Sequence, residues 1–442
     1  MRIELSSGGA KQSVEVPDRN LIAVLQPNDC CPFHDTGAAL KQAAEAGAAF
    51  LDGSQRVLVL VNDYTRPTPN APILAALDPA LRDRDVKYLV CLGTHRPPTE
   101  AEYESIFGAE FLKSRIENRQ SRILCHDCRD KKKLFFLGKT GFGTDVWMNK
   151  ELLWADKVIT INSIEPHYFA GYTGGRKGFL PGIAAYETVA ANHNMVTSPG
   201  SATFGLAGNP VHEDMTEAAK MVSRPVFSIQ LVQRDTKTGT VPPRVRRSGP
   251  EGLSPVFADR VATTGLLSVR SGDVFRSFDE ATRDAHKVFA VPVKEKADII
   301  LSVLGPPYDI NFYQAQRAVE FARPALKSSA VHITVSACFD GVGNDSFVKV
   351  FHGCNSPSDI LSGNRQSHSV LGWHKSARLA QIMQTADLYT VMGIDDAVVK
   401  SAFMHPFKTA QAALDAAFAK LGKNAKLYVI PDAGSVVPVL AQ

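Results

Sequence analysis

The chain has 442 residues, well beyond the roughly 100–200 residues of an ordinary domain, so we expect two or three domains. Hydrophobic residues make up 44% of the chain and charged residues 21%, which is typical of globular proteins and argues against disorder or a collagen-like repeat. The formal net charge of +4 is small for this length and the basic residues are scattered, so nucleic-acid binding is not favoured.

The N-terminal segment argues against export. Residues 1–17 alternate apolar and polar side chains without an apolar core flanked by basic residues, which predicts a β-strand rather than a signal peptide. No apolar run approaches the roughly 18–20 residues that cross a bilayer. The seven cysteines lack a disulfide framework. We therefore expect a cytoplasmic protein with reduced thiols that binds no membrane.

Four apolar runs end in loops that contain polar residues or glycine, and helical patterns follow them, which is the alternation expected of α/β layers. The runs, each with its loop, are residues 56–61 with 62–67, 87–92 with 93–97, 157–161 with 162–167, and 298–304 with 305–308. Ligands tend to bind at the carboxyl ends of parallel strands, so these loops are where we expect chemistry.

Cys125 and Cys128 have the CxxC spacing of zinc sites, with His126 and Asp127 between them. The stretch is charged and no second CxxC follows it. An ordinary loop is therefore favoured over a zinc site.

A glycine-rich segment, EPHYFAGYTGGRK at residues 165–177, is the most informative part of the chain. Its glycines, with the LPG sequence at residues 180–182, permit positive φ angles and a close approach of the backbone to a ligand. Thr173, Arg176 and Lys177 add polar and cationic groups. The spacing matches neither a Walker A loop nor GxGxxG. Residue types alone leave two alternatives open, a bound phosphate and a glycine-rich surface turn.

Further patterns define the rest of the chain. Residues 234–255 are rich in Thr, Arg, Gly and Pro with little apolar periodicity, which predicts an exposed excursion within a domain. A second break falls at residues 291–294. Residues 409–421 have a helical pattern, and residues 426–430 have the pattern of a strand.

The expected fold is therefore of the α/β class with two α/β domains. We expect an N-terminal domain at residues 1–290 and a C-terminal domain at residues 291–423, with the active site in the cleft between them. The tail, residues 424–442, is expected to return to the first domain.

Several motifs, in their order along the chain, resemble those of one known family. PHYFAGYTGGRK, LPG and then His193 resemble the signature of the nickel-pincer lactate racemase family. The segments DYTRP at residues 63–67, GTH at 93–95, YQAQR at 313–317 and CFDGVG at 338–343 also resemble motifs of that family, in the same order. The match runs from about residue 56 to the C-terminus.

The resemblance implies a covalently attached cofactor, the nickel-pincer nucleotide Ni(II)-pyridinium-3,5-bisthiocarboxylate mononucleotide. In this cofactor the two thiocarboxylate arms of a pyridinium mononucleotide bind the nickel. Lys177 matches the lysine that tethers it, and a neutral amine suits that attachment. His193 matches the imidazole that completes the nickel coordination. Without the surrounding motif, Lys177 would be an ordinary phosphate-binding or solvated lysine, and His193 a hydrogen-bonded helix residue.

His95 and His167 match the two acid–base histidines of the family. A racemase must remove a proton from either enantiomer of its substrate and return one, so we expect two bases, one for each enantiomer. Removing the hydroxyl proton while hydride leaves the carbon avoids a carbanion, and histidine titrates near neutral pH. As isolated residues, both histidines would more often be packing or surface groups.

The DYTRP segment matches the part of the family that holds the cofactor. Asp63 can accept from ribose hydroxyls, Tyr64 and Thr65 lie beside it, and Arg66 can pair with a phosphate or with the substrate carboxylate. The alternative is an N-cap aspartate followed by a surface arginine.

Tyr313, Gln314 and Arg317 match substrate-binding positions of the family. Gln314 and Arg317 are three residues apart, so they share a face if the stretch is helical. Lactate racemases that resemble this chain usually carry lysine where Arg317 stands, and arginine binds carboxylates with a different geometry. This departure leaves the 2-hydroxy acid open: lactate, an aldonic acid, an aromatic lactate and malate are all compatible.

The expected activity is thus racemase or epimerase, inverting the hydroxyl-bearing carbon of a 2-hydroxy acid. Cofactor maturation enzymes are the expected partners. A nicotinamide-dependent hydroxy acid dehydrogenase would need GxGxxG after an early strand, which the sequence lacks. A non-catalytic phosphate-binding or nucleotide-binding homologue would not need His95, Lys177 and His193 together.

Overall fold

The computed structural model describes residues 1–66, 68–118, 121–235, 264–306, 308–343, 345–362 and 372–441. The excursion predicted at residues 234–255 lies outside the described residues from position 236 onward. The described residues form two compact units. We name them the middle unit, residues 30–235 with 264–287, and the terminal unit, residues 1–29 with 288–441, because the latter contains both ends of the chain.

Strands are numbered in chain order over the described residues. They are β1 Arg2–Ser7, β2 Ala10–Glu15, β3 Leu21–Val24, β4 Arg56–Asn62, β5 Asp85–Cys91, β6 Ser121–Cys125, β7 Leu134–Lys139, β8 Asp145–Asn149, β9 Lys157–Ser163, β10 Pro166–His167, β11 Ala170–Tyr172, β12 Ala202–Thr203, β13 Val226–Asp235, β14 Thr264–Gly272, β15 Ala290–Val293, β16 Ala297–Val303, β17 Leu326–Ser336, β18 Ala386–Met392, β19 His405–Pro406, β20 Leu427–Ile430 and β21 Val437–Leu440.

The α-helices are numbered in the same way. They are α1 Thr36–Phe50, α2 Asn70–Leu81, α3 Glu100–Phe107, α4 Ala109–Asn118, α5 Glu151–Trp154, α6 Tyr186–His193, α7 Pro210–Lys220, α8 Val274–Phe289, α9 Phe312–Ala322, α10 Asp345–Lys349, α11 Pro357–Ser362, α12 Trp373–Met383, α13 Asp396–Ser401 and α14 Ala410–Leu421. Short 3₁₀ helices lie at Lys131–Lys133, Gly175–Gly178, Asn194–Thr197 and Arg323–Ala325.

The middle unit is built on a six-stranded sheet in the order β14-β13-β9-β4-β5-β6. All neighbours in it are parallel except β13 and β14. Five consecutive residues of β4 are buried, because apolar side chains of this strand are covered on both faces. The chain runs from β4 to β5 and β6 in one direction, then adds β9 on the other side of β4. Such a reversal opens a crevice at the carboxyl ends of β4 and β9.

The terminal unit has a parallel sheet in the order β19-β18-β17-β16-β20-β3. The tail was expected to return to a domain spanning residues 1–290. The tail strand β20 pairs with β3, which lies within that range, and with β16 on its other side, while β21 pairs with β15. The expected division at 290 and 423 therefore differs from the compact units, since residues 1–29 join the C-terminal half.

The physical reason lies in the N-terminal hairpin and β3. Leu5, Val14 and Val16 are buried in the same hydrophobic cluster as strands β16, β17 and β20. We predicted one strand at residues 1–17, but two form, because Gly8 and Gly9 adopt φ angles of 61° and 81°. Two positive φ angles in a two-residue loop are the geometry of a tight hairpin turn.

Other predicted elements are confirmed. The four apolar runs of the sequence become β4, β5, β9 and β16. The predicted late helix is α14, which begins after Thr409, whose hydroxyl caps it by accepting from the Ala412 amide. Within the described residues, none of the helices has the length and apolar character that crossing a membrane requires.

Candidate active site

Three loops of the middle unit carry predicted site residues at one edge of the sheet. Asp63 follows β4, His95 lies four residues after β5, and His167 ends the short strand β10 that follows β9. Because β9, β4 and β5 are adjacent and parallel, their carboxyl ends lie at the same edge. The structure thus brings these loops together at the reversal of strand order, where ligands bind in such sheets.

Asp63 and His95 form a close pair. The Asp63 Oδ2 atom lies 2.5 Å from His95 Nδ1, and the carboxylate is 4% exposed while the imidazole is 46% exposed. Burial opposes ionisation of Asp63, but His95, the Thr65 hydroxyl and Arg66 together lower the pKa of its carboxyl below the ordinary 3.8. A carboxylate at Nδ1 fixes the proton there and leaves the lone pair of the neutral ring on Nε2.

The rest of the loop after β4 supports this pair. Thr65 donates its hydroxyl and its amide to Asp63 Oδ1 at 2.7 Å and 3.2 Å. The Arg96 guanidinium lies 4.3 Å from the centre of the Tyr64 ring, and burial raises the pKa of the Tyr64 hydroxyl to about 12. Asp63, which we predicted to bind the cofactor, therefore also positions His95, one of the two predicted acid–base histidines.

His167 has a different hydrogen bond at the same ring atom. The Ala170 amide donates to His167 Nδ1 at 3.3 Å, so the neutral ring carries its proton on Nε2. The imidazole stacks on Tyr168 with ring centres 5.1 Å apart and meets Phe169 edge-on at 4.5 Å. The two predicted acid–base histidines thus rest in opposite tautomers.

Phe169 is the buried ring around which three predicted site residues gather. It is 1% exposed. Its centre lies 4.5 Å from the His167 ring, 5.1 Å from the His193 ring and 5.8 Å from Lys177 Nζ. The Phe169 carbonyl accepts from Asn209 Nδ2 at 2.8 Å, which anchors the segment to the start of α7.

Lys177 lies on the 3₁₀ helix Gly175–Gly178 and is partly buried. Burial, reinforced by the positive charges of Arg176 and Arg66, lowers the pKa of the Lys177 ammonium well below its ordinary 10.5. A lowered pKa favours the neutral amine that a nucleophile needs. The positive charge of Arg66 lowers the pKa of both Asp63 and Lys177, so the loop after β4 and the glycine-rich segment interact electrostatically.

The glycines of the segment are required by close packing. Gly171 has a φ of 74°, and a Cβ there would lie 2.3 Å from the Gly205 carbonyl oxygen. Gly174 has a φ of 78°, and a Cβ there would lie 2.1 Å from Ile164 Cδ1. Any side chain at either position would strain the backbone and collide with neighbours.

Arg176 and Thr173, which add a cationic and a polar group to the glycine-rich segment, support the loop. Arg176 is 1% exposed and donates to the carbonyls of Tyr172, Gly174 and Ala170, at 2.6 Å for the last. Burial lowers the pKa of its guanidinium to about 9. The Thr173 hydroxyl donates to the Ser163 carbonyl at 2.8 Å. Both side chains turn inward because the tightly turned backbone leaves carbonyls that need donors.

His193 is the last residue of α6, as the helical pattern around it predicts. Its Nδ1 atom lies 3.1 Å from Asn192 Oδ1. Within the part of the chain that the structure describes, no three His, Cys, Asp or Glu side chains are grouped so that they could hold a metal ion. His193 could therefore supply one ligand of a metal whose other donors come from elsewhere.

The CxxC segment has a structural role. His126 is buried, with Nε2 2.9 Å from the Ala184 carbonyl and Nδ1 3.1 Å from Asn149 Nδ2. Cys125 Sγ lies 2.9 Å from the Tyr103 hydroxyl. These bonds hold Cys125 and His126 within the fold.

Tyr313, Gln314 and Arg317 lie on α9 of the terminal unit, so the condition for Gln314 and Arg317 to share a face is met. The Arg317 guanidinium lies over the Tyr308 ring at 4.0 Å and near the Phe321 ring at 4.7 Å. Stacking of this kind holds a planar cation in place.

The CFDGVG segment supports the start of that helix. The Gly341 and Val342 carbonyls accept from the amides of Phe312 and Tyr313 at 3.0 Å and 3.1 Å. These amides belong to the first turn of α9, which has no partners of its own within the helix.

Sequence reasoning missed Phe169 and Asn209. Phe169 stood inside the recognised motif, but its role as the common contact of three side chains requires the fold. Asn209 precedes a proline at the start of α7, and this Asn-Pro pair was a readable N-cap signal.

Comparisons with known proteins are consistent along the chain. Residues 8–204 match the family model of the lactate racemase N-terminal domain, and residues 293–438 match that of the lactate racemase C-terminal domain. The lactate racemase of Thermoanaerobacterium thermosaccharolyticum is 28% identical over 457 aligned positions, covering 98% of both proteins. That of Lactiplantibacillus plantarum is 29% identical and covers 87% of this chain and 85% of its own length.

Solved structures agree. The lactate racemase apoprotein of T. thermosaccharolyticum superposes with a TM-score of 0.85 at 25% identity, and each chain is covered completely. A protein from Thermotoga maritima has the same fold, with a TM-score of 0.67 at 16% identity over 94% of this chain and all of its own.

Proposed function

Because the chain belongs to the lactate racemase family, we propose that it inverts the hydroxyl-bearing carbon of a 2-hydroxy acid, with a nickel-pincer nucleotide attached at Lys177. The family makes the chain an isomerase of the racemase type. The cofactor, the roles of the histidines and the substrate are the proposed part.

The observation that carries the proposal is the gathering of His167, Lys177 and His193 around Phe169. Neither a nicotinamide-dependent dehydrogenase nor a simple phosphate-binding protein requires a lysine and two imidazoles around one buried ring. A tethered cofactor with a metal and an acid–base group next to it needs all three.

The residues fit the cofactor. Lys177 has an amine whose pKa is lowered, which suits a covalent bond to a thiocarboxylate arm. His193 offers one imidazole, which nickel accepts, and Arg66 offers a positive charge for the phosphate. When bound, this cofactor would accept a hydride from the substrate carbon and return it to either face.

His95 would act as the base at the hydroxyl group. Its Nδ1 proton is held by Asp63, so Nε2 has the lone pair that accepts the hydroxyl proton. The imidazolium that forms is stabilised by the Asp63 carboxylate, which remains ionised because its pKa is lowered. The transfer takes place at an imidazole that is partly exposed and whose partner carboxylate is buried.

His167 would serve the opposite hand of the substrate. In its resting tautomer it donates a hydrogen bond from Nε2 to the substrate oxygen. To act as the base it would take the Nδ1–H tautomer, which places the lone pair on Nε2 and gives up the Ala170 bond, a long one at 3.3 Å.

Arg317 and Gln314 are proposed to bind the substrate carboxylate, as the resemblance implies, and the maturation enzymes of the cofactor are proposed partners. The stacked guanidinium of Arg317 can hold a carboxylate in a bidentate way. Arginine binds a carboxylate with a geometry different from that of lysine, so the identity of the 2-hydroxy acid stays open.

The proposal is tested on protein matured in the presence of the cofactor-synthesising enzymes. Intact mass should show an adduct on the chain, with about one nickel per chain, and Lys177→Arg should carry neither. The matched variant Lys220→Arg, at an exposed lysine, should keep both. An unmodified wild-type chain that racemises 2-hydroxy acids at full rate would refute the cofactor.

Racemisation in heavy water separates hydride transfer from proton abstraction. If hydride leaves and returns, the inverted carbon keeps its original hydrogen, whereas abstraction by two bases brings in solvent deuterium. Near-complete deuterium incorporation would rule out the proposed chemistry while leaving the racemase activity in place.

A further inference from the structure

Asn192, the residue before His193 on α6, has a side chain whose orientation is fixed. It is fully buried, and its Nδ2 atom donates to Asp214 Oδ2 at 2.7 Å and to the Val211 carbonyl at 3.1 Å. A carbonyl and a carboxylate accept hydrogen bonds and donate none. The amino group of Asn192 must therefore point toward α7, and its Oδ1 atom must point toward His193.

This orientation determines which nitrogen of His193 carries the proton. His193 Nδ1 lies 3.1 Å from Asn192 Oδ1, an atom that can only accept. The hydrogen of the neutral imidazole therefore sits on Nδ1, and the lone pair sits on Nε2. Metal ions bind the unprotonated nitrogen, and the partner of the other nitrogen selects it.

Asp214 is the first residue in this series of hydrogen bonds, which continues through Asn192 to His193. It is fully buried and accepts from the Thr140 hydroxyl at 2.6 Å and from the Thr144 hydroxyl at 3.1 Å. Thr140 Oγ1 itself accepts from the Thr144 amide, so its hydrogen is directed to Asp214. The carboxylate is thereby saturated with donors, and the Asn192 amino group is one of them.

We propose that Asp214 and Asn192 form a relay that holds His193 in the tautomer whose Nε2 binds nickel. Both are positioning residues, since neither touches the metal. The identity of the metal rests on the function proposed above, but the tautomer does not. A purely structural link between α6 and α7 would not require one particular tautomer of His193.

The first test reads the tautomer in the apoprotein by ¹⁵N NMR of labelled histidines, with His193→Gln used for assignment. The wild type is expected to show His193 with its proton on Nδ1. In Asp214→Asn, the new amide can donate to Asn192, so only the Val211 carbonyl still fixes the Asn192 orientation and some Nε2–H form is expected to appear. Glu217→Gln is the matched control, since Glu217 is also on α7 and accepts from Gly141 of the same turn at 2.6 Å.

The second test measures loss of nickel to a chelator from matured protein. Asp214→Asn is expected to lose nickel about 10- to 100-fold faster than the wild type, and Glu217→Gln at the wild-type rate. Loss at the wild-type rate from Asp214→Asn overturns the relay. So does an Nε2–H tautomer in the wild-type apoprotein, a result that stands even where Asp214→Asn does not fold. Wild-type protein without nickel would instead refute the proposed function, and the apoprotein spectrum would still decide the relay.

Discussion

At the scale of the residue, His95 and His167 have the same ring in opposite settings. A carboxylate faces Nδ1 of His95, and a backbone amide faces Nδ1 of His167. The hydrogen-bond partner of neither ring could be predicted from the sequence. The separation of Asp63 and His95 along the chain does not imply that the two side chains are in contact. Only the adjacency of β4 and β5 creates this contact.

Asp63→Asn tests whether this carboxylate works through His95. The substituted amide keeps the size of the side chain but cannot stabilise an imidazolium, so kcat is expected to fall by about 10²- to 10⁴-fold, with a smaller change in KM. Glu102→Gln, at a buried carboxylate that pairs with Arg96 beside His95, is expected to keep kcat within about tenfold. Equal losses in both variants would contradict a specific role for Asp63.

The pH dependence of stability follows from the same pair. The pKa of Asp63 is lowered on folding, so its contribution to the free energy of unfolding is complete above the ordinary pKa of 3.8. It is lost as the pH falls through the lower pKa of the folded state. The difference in unfolding free energy between wild type and Asp63→Asn should therefore be constant from about pH 8 to about pH 5 and shrink only in stronger acid.

Arg317→Lys tests the basis of substrate choice. The guanidinium stacks over Tyr308, whereas an ammonium cannot stack in this way or bind a carboxylate through two parallel hydrogen bonds. The ratio of kcat/KM between two 2-hydroxy acids is expected to change by about tenfold, which corresponds to about 1.4 kcal/mol. Arg276→Lys, at an exposed arginine, is the control, and an unchanged ratio in Arg317→Lys would exclude contact with the substrate.

At the scale of the element, α7 supports the candidate site at two points. Its N-cap residue Asn209 holds the Phe169 carbonyl, and Asp214 one turn later holds Asn192. The loops at the carboxyl ends of β4, β5 and β9 could be predicted, because apolar runs and the polar residues after them are local patterns. The support from α7 could not, because its bonds join residues 22 to 40 positions apart.

Substitutions at Asn209 separate its two roles, which are to cap α7 and to donate a hydrogen bond to the Phe169 carbonyl. Asn209→Ala removes the cap of α7 and leaves the buried Phe169 carbonyl without its donor, so the free energy of unfolding should fall by about 2–4 kcal/mol. Asn209→Asp can still accept from Val211 and His212 but cannot donate to Phe169. Urea denaturation should rank wild type, Asp and Ala in that order, and Thr409→Ala, a more exposed cap of α14, should cost only about 1 kcal/mol. Equal stability of the Ala variant and the wild type would contradict the supporting role of Asn209.

At the scale of the whole molecule, the ends of the chain belong to the same unit. The alternation of strands and helices was enough to predict two α/β units and the position of the strands. The partners of those strands were not predictable in the same way, because β3 is too short and too ordinary in composition to reveal that it pairs with β20, about 400 residues later. The strand with which β3 pairs depends on which sheet has an unpaired edge strand, and this is determined only by the assembled fold.

Deletion of residues 1–29 should therefore destabilise the C-terminal half of the chain. The deletion removes β3 from the edge of β20 and takes Leu5, Val14 and Val16 out of the core of that sheet. Burying each such side chain contributes about 1.5–3 kcal/mol, and three of them amount to much of the 5–15 kcal/mol that stabilises a typical domain. Hydrogen–deuterium exchange is expected to show loss of protection in β16 and β20.

Strands of the middle unit provide the internal comparison, since β4 and β9 have no strand partner among the described residues 1–29. Their protection should persist in the deleted chain. Glu4→Ala is the matched point substitution, because Glu4 lies between buried Ile3 and Leu5 with its own side chain exposed, and it should leave protection unchanged where Leu5→Ala lowers it. Retained protection of β16 and β20 after the deletion would mean that the C-terminal half folds without the N-terminal hairpin. Loss confined to β4 and β9 would instead return residues 1–29 to the N-terminal domain that the sequence first suggested.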